Sequence, residues 1–145
     1  MLARNDIQTP EQRTRPATLE WGAYSQSRKS FVVEYALLVP SVGNLREGWH
    51  AKAKRNKEHR TLSFAMLAKF AVQRQALPAV IILTRMALRR LDDDNLAYAF
   101  KATRDGVADW LRVDDRSPLL TWRYEQEKGG RGNPPRVRIE ILSSP

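Results

Sequence analysis

The feature that most constrains this chain is a mostly apolar run that ends in a row of carboxylates. Residues 79–88 read AVIILTRMAL, are rich in β-branched side chains and follow Pro78. A run of this length, bounded by a turn residue, predicts a buried β-strand. The basic pair Arg89-Arg90 leads from it into Asp92-Asp93-Asp94. One acidic cluster therefore ends a strand and precedes the next helix.

Three other stretches have the patterns of regular structure. Residues 31–39 are β-branched and aromatic, which predicts a first buried strand. Residues 49–75 contain neither Pro nor Gly, which predicts one long helix. Apolar residues recur every three or four positions over 95–111, which predicts an amphipathic helix with Asp94 or Asn95 as its N-cap.

The end of the chain predicts two more strands. Apolar and polar residues alternate over 120–124 and again over 137–141, and the basic segment 128–135 between them is rich in Gly and Pro. This pattern predicts a β-hairpin with a long tip. The resulting order, β-α-β-α-β-β, indicates a single small α/β (α+β) domain with a mixed sheet and two main helices.

The first 28 residues differ from the rest of the chain. Residues 1–28 are polar, basic and without a structural period, so we expect a flexible basic N-terminal arm before a domain spanning 29–145. The chain has 145 residues, too few for two stable cores. Neither a signal peptide nor a run of roughly 18–20 apolar residues is found, so we expect a cytoplasmic protein without a membrane partner.

The charge balance points to a polyanionic partner. Lys and Arg number 25 against 16 Asp and Glu, a formal net charge of +9, and nucleic acid is the commonest partner of such proteins. The absence of Cys excludes disulfides and thiolate metal sites. We expect phosphate contacts from basic residues of the long helix and of the loop after the second strand, namely Lys52, Lys54, Arg55, Lys57, Arg60, Arg89 and Arg90. The alternative is that these residues form a plain solvated face.

Two acidic clusters stand out against this basic background. The clusters 92–94 and 114–115 hold five of the 16 acidic residues, and close carboxylates repel unless a cation neutralises them. In an extended chain Asp92 and Asp94 project to one face, and with one Asp of the second pair they would suit Mg²⁺ or Mn²⁺. The helix between the clusters spans about 25 Å, so they meet only if the following turn folds back. The alternative is an acidic turn that caps a helix dipole.

Lys101 has two interpretations. It lies seven residues after Asp94, within roughly 20° of the same helical face, and could point back toward an acidic site and hold a phosphate. The alternative is an exposed pair with Asp105, four residues further on.

Three segments, in this order, resemble those of a known family. They are Val39-Pro40-Ser41-Val42-Gly43-Asn44 before a basic helix, Asp92-Asp93-Asp94-Asn95 after a strand, and Val113-Asp114-Asp115. Over residues 31–142 the chain resembles the RusA-type Holliday junction resolvases, or crossover junction endodeoxyribonucleases. The spacing from Asn95 to Lys101 is longer here than in the best-known members, and the arm is an addition.

The resemblance implies a homodimeric, Mg²⁺-dependent nuclease that cuts branched DNA in recombination and repair, in a bacterium or a phage. It implies that Asp92, Asp94 and Asp115, with Asp114, bind the metal, that Lys101 is an auxiliary catalytic cation, and that Asn44 lies in the DNA-contacting early loop. Two alternatives remain: a basic nucleic-acid-binding protein without catalysis, and a small RNA-associated structural protein.

Overall fold

The computed structural model describes residues 20–25, 29–41, 46–71 and 75–143. These residues form five strands and three helices in one small α+β domain with a mixed sheet, which confirms the predicted fold class. In chain order the elements are β1 (Glu20–Ser25), β2 (Ser30–Ala36), α1 (Trp49–Phe70), β3 (Ala79–Ala87), α2 (Asp93–Ala99), α3 (Lys101–Leu111), β4 (Leu120–Lys128) and β5 (Arg136–Ser143).

The predicted hairpin of the last two strands is wrong. The sheet order is β1-β2-β5-β3-β4, so β3 separates β5 from β4. Strand β4 pairs in parallel with β3, and all other neighbours are antiparallel. Alternation reports which face of a strand is buried but not which strand it pairs with. The segment 129–135 crosses the end of β3, where Gly129 N donates to Ala87 O at 3.0 Å.

The predicted boundary of the N-terminal arm at residue 29 is also wrong. Residues 20–25 form β1, an edge strand that pairs with β2 along its whole length. The aromatic residues Trp21 and Tyr24 favour a strand, and β1 packs closely on α1 at Gly22. A Cβ atom at Gly22 would lie 2.5 Å from Phe70 Cβ. Residues 1–19 and 26–28 of the predicted arm lie outside the described residues.

The predicted helix 95–111 is two helices that meet at Phe100. Phe100 has φ −88° and ψ 2°, which interrupts the helix, and its side chain is fully buried. Helix α1 ends at Phe70, before the predicted end at Gln75. It packs on α3 at Gly106, where an added Cβ would lie 1.9 Å from Ser63 Oγ.

The helices cover one face of the sheet. Alternate residues of the three central strands point into this core, among them Val33, Leu83 and Ile139, and pack with Leu67 of α1 and with Phe100. The opposite face carries charge, because the alternate residues there include Glu34 and Arg138. Within the described ranges, no helix combines the length and the apolar character needed to cross a membrane.

Candidate functional site

The turn after α3 folds back along that helix. Arg112 ends α3 in a left-handed conformation, with φ 61°. The backbone oxygen of Asp115 then accepts hydrogen bonds from Arg104 Nη2 and from Trp122 Nε1, each at 2.9 Å. The second acidic pair therefore lies beside α3, and not beyond its end. The fold-back that the sequence required for an approach of the two clusters is present.

Lys101 contacts this second pair. Its Nζ lies 2.7 Å from Asp105 Oδ1 and 3.0 Å from Asp115 Oδ2, so the predicted pair with Asp105 exists together with a contact to the acidic turn. The hydrogen bond to Asp105, followed by that to Asp115, raises the pKa of Lys101. The hydrogen bond from Lys101, with Arg104 and Arg116 nearby, lowers the pKa of Asp115. Both side chains therefore remain charged near neutral pH.

The first acidic cluster starts α2. Asp92 is the N-cap, and its side chain accepts a hydrogen bond from Asn95 N at 3.2 Å, so the expected caps Asp94 and Asn95 are wrong. Asp93 and Asp94 occupy the first helical turn, where carboxylates interact favourably with the helix dipole. The helix begins at Asp93, earlier than expected. Asp92 and Asp94 therefore do not belong to one extended segment, and the extended-chain spacing does not place them on one face.

Gln126 fixes the approach to this cluster. Its Oε1 accepts from Leu91 N at 2.8 Å, and its Nε2 donates to Leu91 O at 2.7 Å. The backbone just before Asp92 is thereby held to β4 by both ends of one amide.

The predicted carboxylates do not form a complete metal site in this arrangement. The described residues hold no group of three or more His, Asp or Glu side chains placed to bind one ion. Asp114 Oδ1 accepts from Arg116 N at 2.8 Å, and Asp115 pairs with Lys101 and Arg104. Mg²⁺ is commonly held by one or two carboxylates together with substrate phosphates and water. Asp92 and Asp94 are exposed carboxylates at the start of α2, and their oxygens are donors of the type that Mg²⁺ takes.

The basic residues of α1 divide into two groups. Arg55 is half-buried and pairs with Glu47, while Arg60 makes two hydrogen bonds to Asp109, at 2.6 and 2.7 Å. The hydrogen bond to Asp109 also raises the pKa of Arg60. These contacts give both arginines a structural partner.

The lysines of α1 are exposed. Lys52 Nζ donates to Tyr98 Oη of α2 at 3.2 Å, and Lys54 lies 4.0 Å from Glu58. Lys57 lines a cleft of about 280 Å³ between α1 and α3 with Asn56, Arg60, Lys101, Ala102 and Asp105. Lys57 and Lys101 thus face the same solvent-filled space.

The remaining predicted contacts lie elsewhere. Arg89 and Arg90 are exposed in the loop after β3 and line a second cleft, at the end of the parallel strands. Asn44 lies outside the described residues.

Two residues of this region were missed by the sequence analysis. Gln126 continues the inward alternation of Trp122 and Tyr124, and a polar residue at such a position is a readable signal. Arg104 gave no such signal, since one arginine among many does not stand out. Its guanidinium lies 4.7 Å from the centre of the Trp122 ring and hydrogen-bonds Tyr124 Oη at 2.9 Å.

No protein-family model matches this chain, and no curated protein is significantly similar to it. The resemblance to RusA-type resolvases therefore rests on the sequence motifs alone.

Proposed function

We propose that this protein is an endodeoxyribonuclease that uses Mg²⁺ or Mn²⁺ to cut Holliday junctions or other branched DNA. The observation that carries the proposal is the 3.0 Å contact between Lys101 and Asp115. Two residues that the family resemblance assigns to catalysis, fourteen positions apart in sequence, lie side by side next to a basic helix. Basic groups beside the carboxylates would hold the phosphate, and the carboxylates would be the metal ligands.

The side chains then have separate roles. Asp92 and Asp94 would hold the metal together with oxygens of the substrate phosphate, and Asp115, with Asp114, would add the carboxylates of the second acidic pair. A metal bound there would supply an activated water molecule and stabilise charge on the scissile phosphate. Lys101 remains protonated because its pKa is raised, and it donates to the phosphate or to the departing oxygen. Lys57 faces the same cleft and holds the backbone in register.

A homodimer suits the proposed substrate. A four-way junction has approximate two-fold symmetry, so a C₂ dimer would place one site on each of two strands. We propose that the protein acts in the cytoplasm of a bacterium or of a phage-infected cell, where such junctions arise.

A non-catalytic nucleic-acid-binding protein is the second candidate. Specific contacts favour it: Asp92 caps α2, Asp114 caps a turn and Asp115 is neutralised by two cations. In this function the acidic clusters stabilise helix and turn, and the basic surface alone binds the polymer.

Cleavage of a labelled synthetic four-way junction separates the two candidates. The nuclease proposal expects nicked products with Mg²⁺ or Mn²⁺, none with EDTA, and weaker cutting of the matched linear duplex. A protein that binds the junction in EDTA and cuts no branched substrate with either metal is the non-catalytic binder.

A further inference from the structure

Arg85 is a buried cation without a carboxylate partner among the described residues. Its side chain is 6% exposed, and it donates to two backbone oxygens, from Nε to Val39 O at 2.7 Å and from Nη1 to Arg89 O at 2.6 Å. Carbonyl oxygens satisfy hydrogen bonds but do not neutralise charge, and a buried charge without a counter-ion is costly. Among the described residues, the position therefore lacks an anion.

Arg138 shows what this chain does with a buried arginine elsewhere. It is 2% exposed, and its guanidinium lies 3.1 Å from Glu34 Oε2 and 2.5 Å from Glu127 Oε2. Carboxylates thus neutralise Arg138, whereas among the described residues Arg85 has neutral acceptors only.

Arg85 lines a cleft of about 360 Å³ at the carboxyl ends of the parallel strands β3 and β4. The exposed cations Arg89, Arg90 and Lys128 line it as well. The carboxylate in its wall, Glu127, is the one that pairs with Arg138. The cleft is large enough for a phosphate group with several waters, each of which occupies about 30 Å³ in the liquid.

We propose that this cleft binds a backbone phosphate of a polynucleotide, separate from the phosphate at the acidic residues. Arg85 supplies a fixed fork at the base, and Arg89, Arg90 and Lys128 close around the phosphate from the rim. Gln126 lines the same cleft and hydrogen-bonds the backbone of Leu91, the residue that precedes Asp92. The cleft therefore adjoins the segment that leads into the first acidic cluster. The identity of the polymer as DNA rests on the proposed function, whereas the phosphate site itself requires no cleavage.

The test measures how the affinity for a fluorescein-labelled duplex depends on salt, in EDTA, for wild type, Lys128→Ala, Arg85→Gln and Arg123→Ala. Arg123 is the matched control, because it is an exposed cation on the same strand as Lys128 and lies outside the cleft. Loss of one phosphate contact decreases the magnitude of the negative slope of log K against log salt by about 0.9. We expect this decrease for Lys128→Ala and Arg85→Gln, and none for Arg123→Ala.

Slopes for the cleft variants that equal the Arg123→Ala slope would overturn the proposal. Lys128→Ala keeps the test decisive if Arg85→Gln does not fold, since Lys128 is exposed. Inorganic phosphate at constant ionic strength distinguishes a site for free phosphate. If it raises the melting temperature of wild type but not of Lys128→Ala, while the DNA slopes stay equal, the polymer assignment is wrong. Because the test measures binding and melting temperature and not cleavage, it decides the phosphate site even if the protein is not a nuclease.

Discussion

The sheet face that carries Glu34 and the surface around α2 and α3 differ in how completely their charges are paired. On the sheet face, Glu34 is fully buried, and it lies 3.0 Å from Arg136 Nε and 3.1 Å from Arg138 Nε. At the surface, Asp92 and Asp94 are exposed carboxylates, and below it the buried Arg85 of β3 is a cation held by neutral oxygens. The first region compensates its charges internally, whereas the second pairs Asp105 and Asp115 with Lys101 but leaves Asp92, Asp94 and Arg85 without an ion pair among the described residues.

In a chain this basic, ligands are expected where charges have no partner within the fold. Buried ion pairs are fixed in one geometry by desolvation, so a network like that of Glu34 acts in folding. Charges that are gathered but not compensated lose their mutual repulsion only when a counter-ion binds. Net charge alone identifies neither region, because it sums over both.

The largest expected effect is at Glu34. Glu34→Gln leaves Arg136 and Arg138 without their shared carboxylate, and breaking a buried pair costs about 3–5 kcal/mol. The free energy of unfolding from urea titrations should fall by that amount. The exposed control Glu125→Gln, on β4, should change it by less than about 0.5 kcal/mol. Equal losses in the two variants would place Glu34 outside any buried network.

The second largest effect is expected at the acidic clusters, where Mn²⁺ should stabilise the fold. Mn²⁺ should compensate the acidic clusters as the arginines compensate Glu34, and a ligand at a hundredfold excess over Kd adds about 2.7 kcal/mol of stability. The melting temperature should rise with Mn²⁺ at constant ionic strength, and Asp94→Asn should reduce the rise. The same shift in wild type, Asp94→Asn and Asp93→Asn would mean that Asp94 is not a ligand.

Asp115 should contribute less to stability, because its pairs are partly exposed. Asp115→Asn removes the partner of Lys101 and Arg104 and should cost about 1 kcal/mol or less near neutral pH. The pKa of Asp115 is lowered in the folded chain, so its contribution is present above the unfolded value of about 3.9. It is lost as the pH falls through the lowered folded value. Urea titrations of both proteins should converge in strong acid, and a constant difference would contradict the pairing.

The smallest effect on stability is expected at Lys101. Lys101→Ala removes two partly exposed pairs and should lower the free energy of unfolding by about 0.5 kcal/mol or less. Its turnover on junction DNA should fall more than its affinity. Normal turnover with slightly lower stability would show that Lys101 serves α3 alone.

The fold class and the positions of the two acidic clusters relative to the helices and strands could be predicted from the sequence. Long runs such as 79–88 identify buried strands, and the helix-forming stretch 49–75 contains α1. Pairing was not readable, because the alternation of β4 and β5 says nothing of the β3 strand between them. The break at Phe100 was also hidden, since the apolar spacing continues through it and tertiary packing buries the ring.

The candidate site was predicted in part. Lys101 was expected either to point back toward an acidic site or to pair with Asp105. It pairs with Asp105, and it also contacts Asp115 because the turn folds back onto α3. The first acidic cluster was predicted as extended chain continuing from the strand. It starts a helix instead, because the Asp92 side chain hydrogen-bonds the backbone as an N-cap. The clamp by Gln126 depends on strand pairing, which the sequence left open.

The rate of junction cleavage by Asp94→Asn, compared with Asp93→Asn, is the decisive measurement for a role of Asp94 in catalysis. Both variants remove one exposed carboxylate from the first turn of α2, so they share any general effect of charge on folding or on DNA binding. We expect Asp94→Asn to lower the cleavage rate more than tenfold at saturating Mg²⁺, with junction affinity in EDTA unchanged, and Asp93→Asn to cut at the wild-type rate. Equal cleavage rates in the two variants would contradict that role for Asp94.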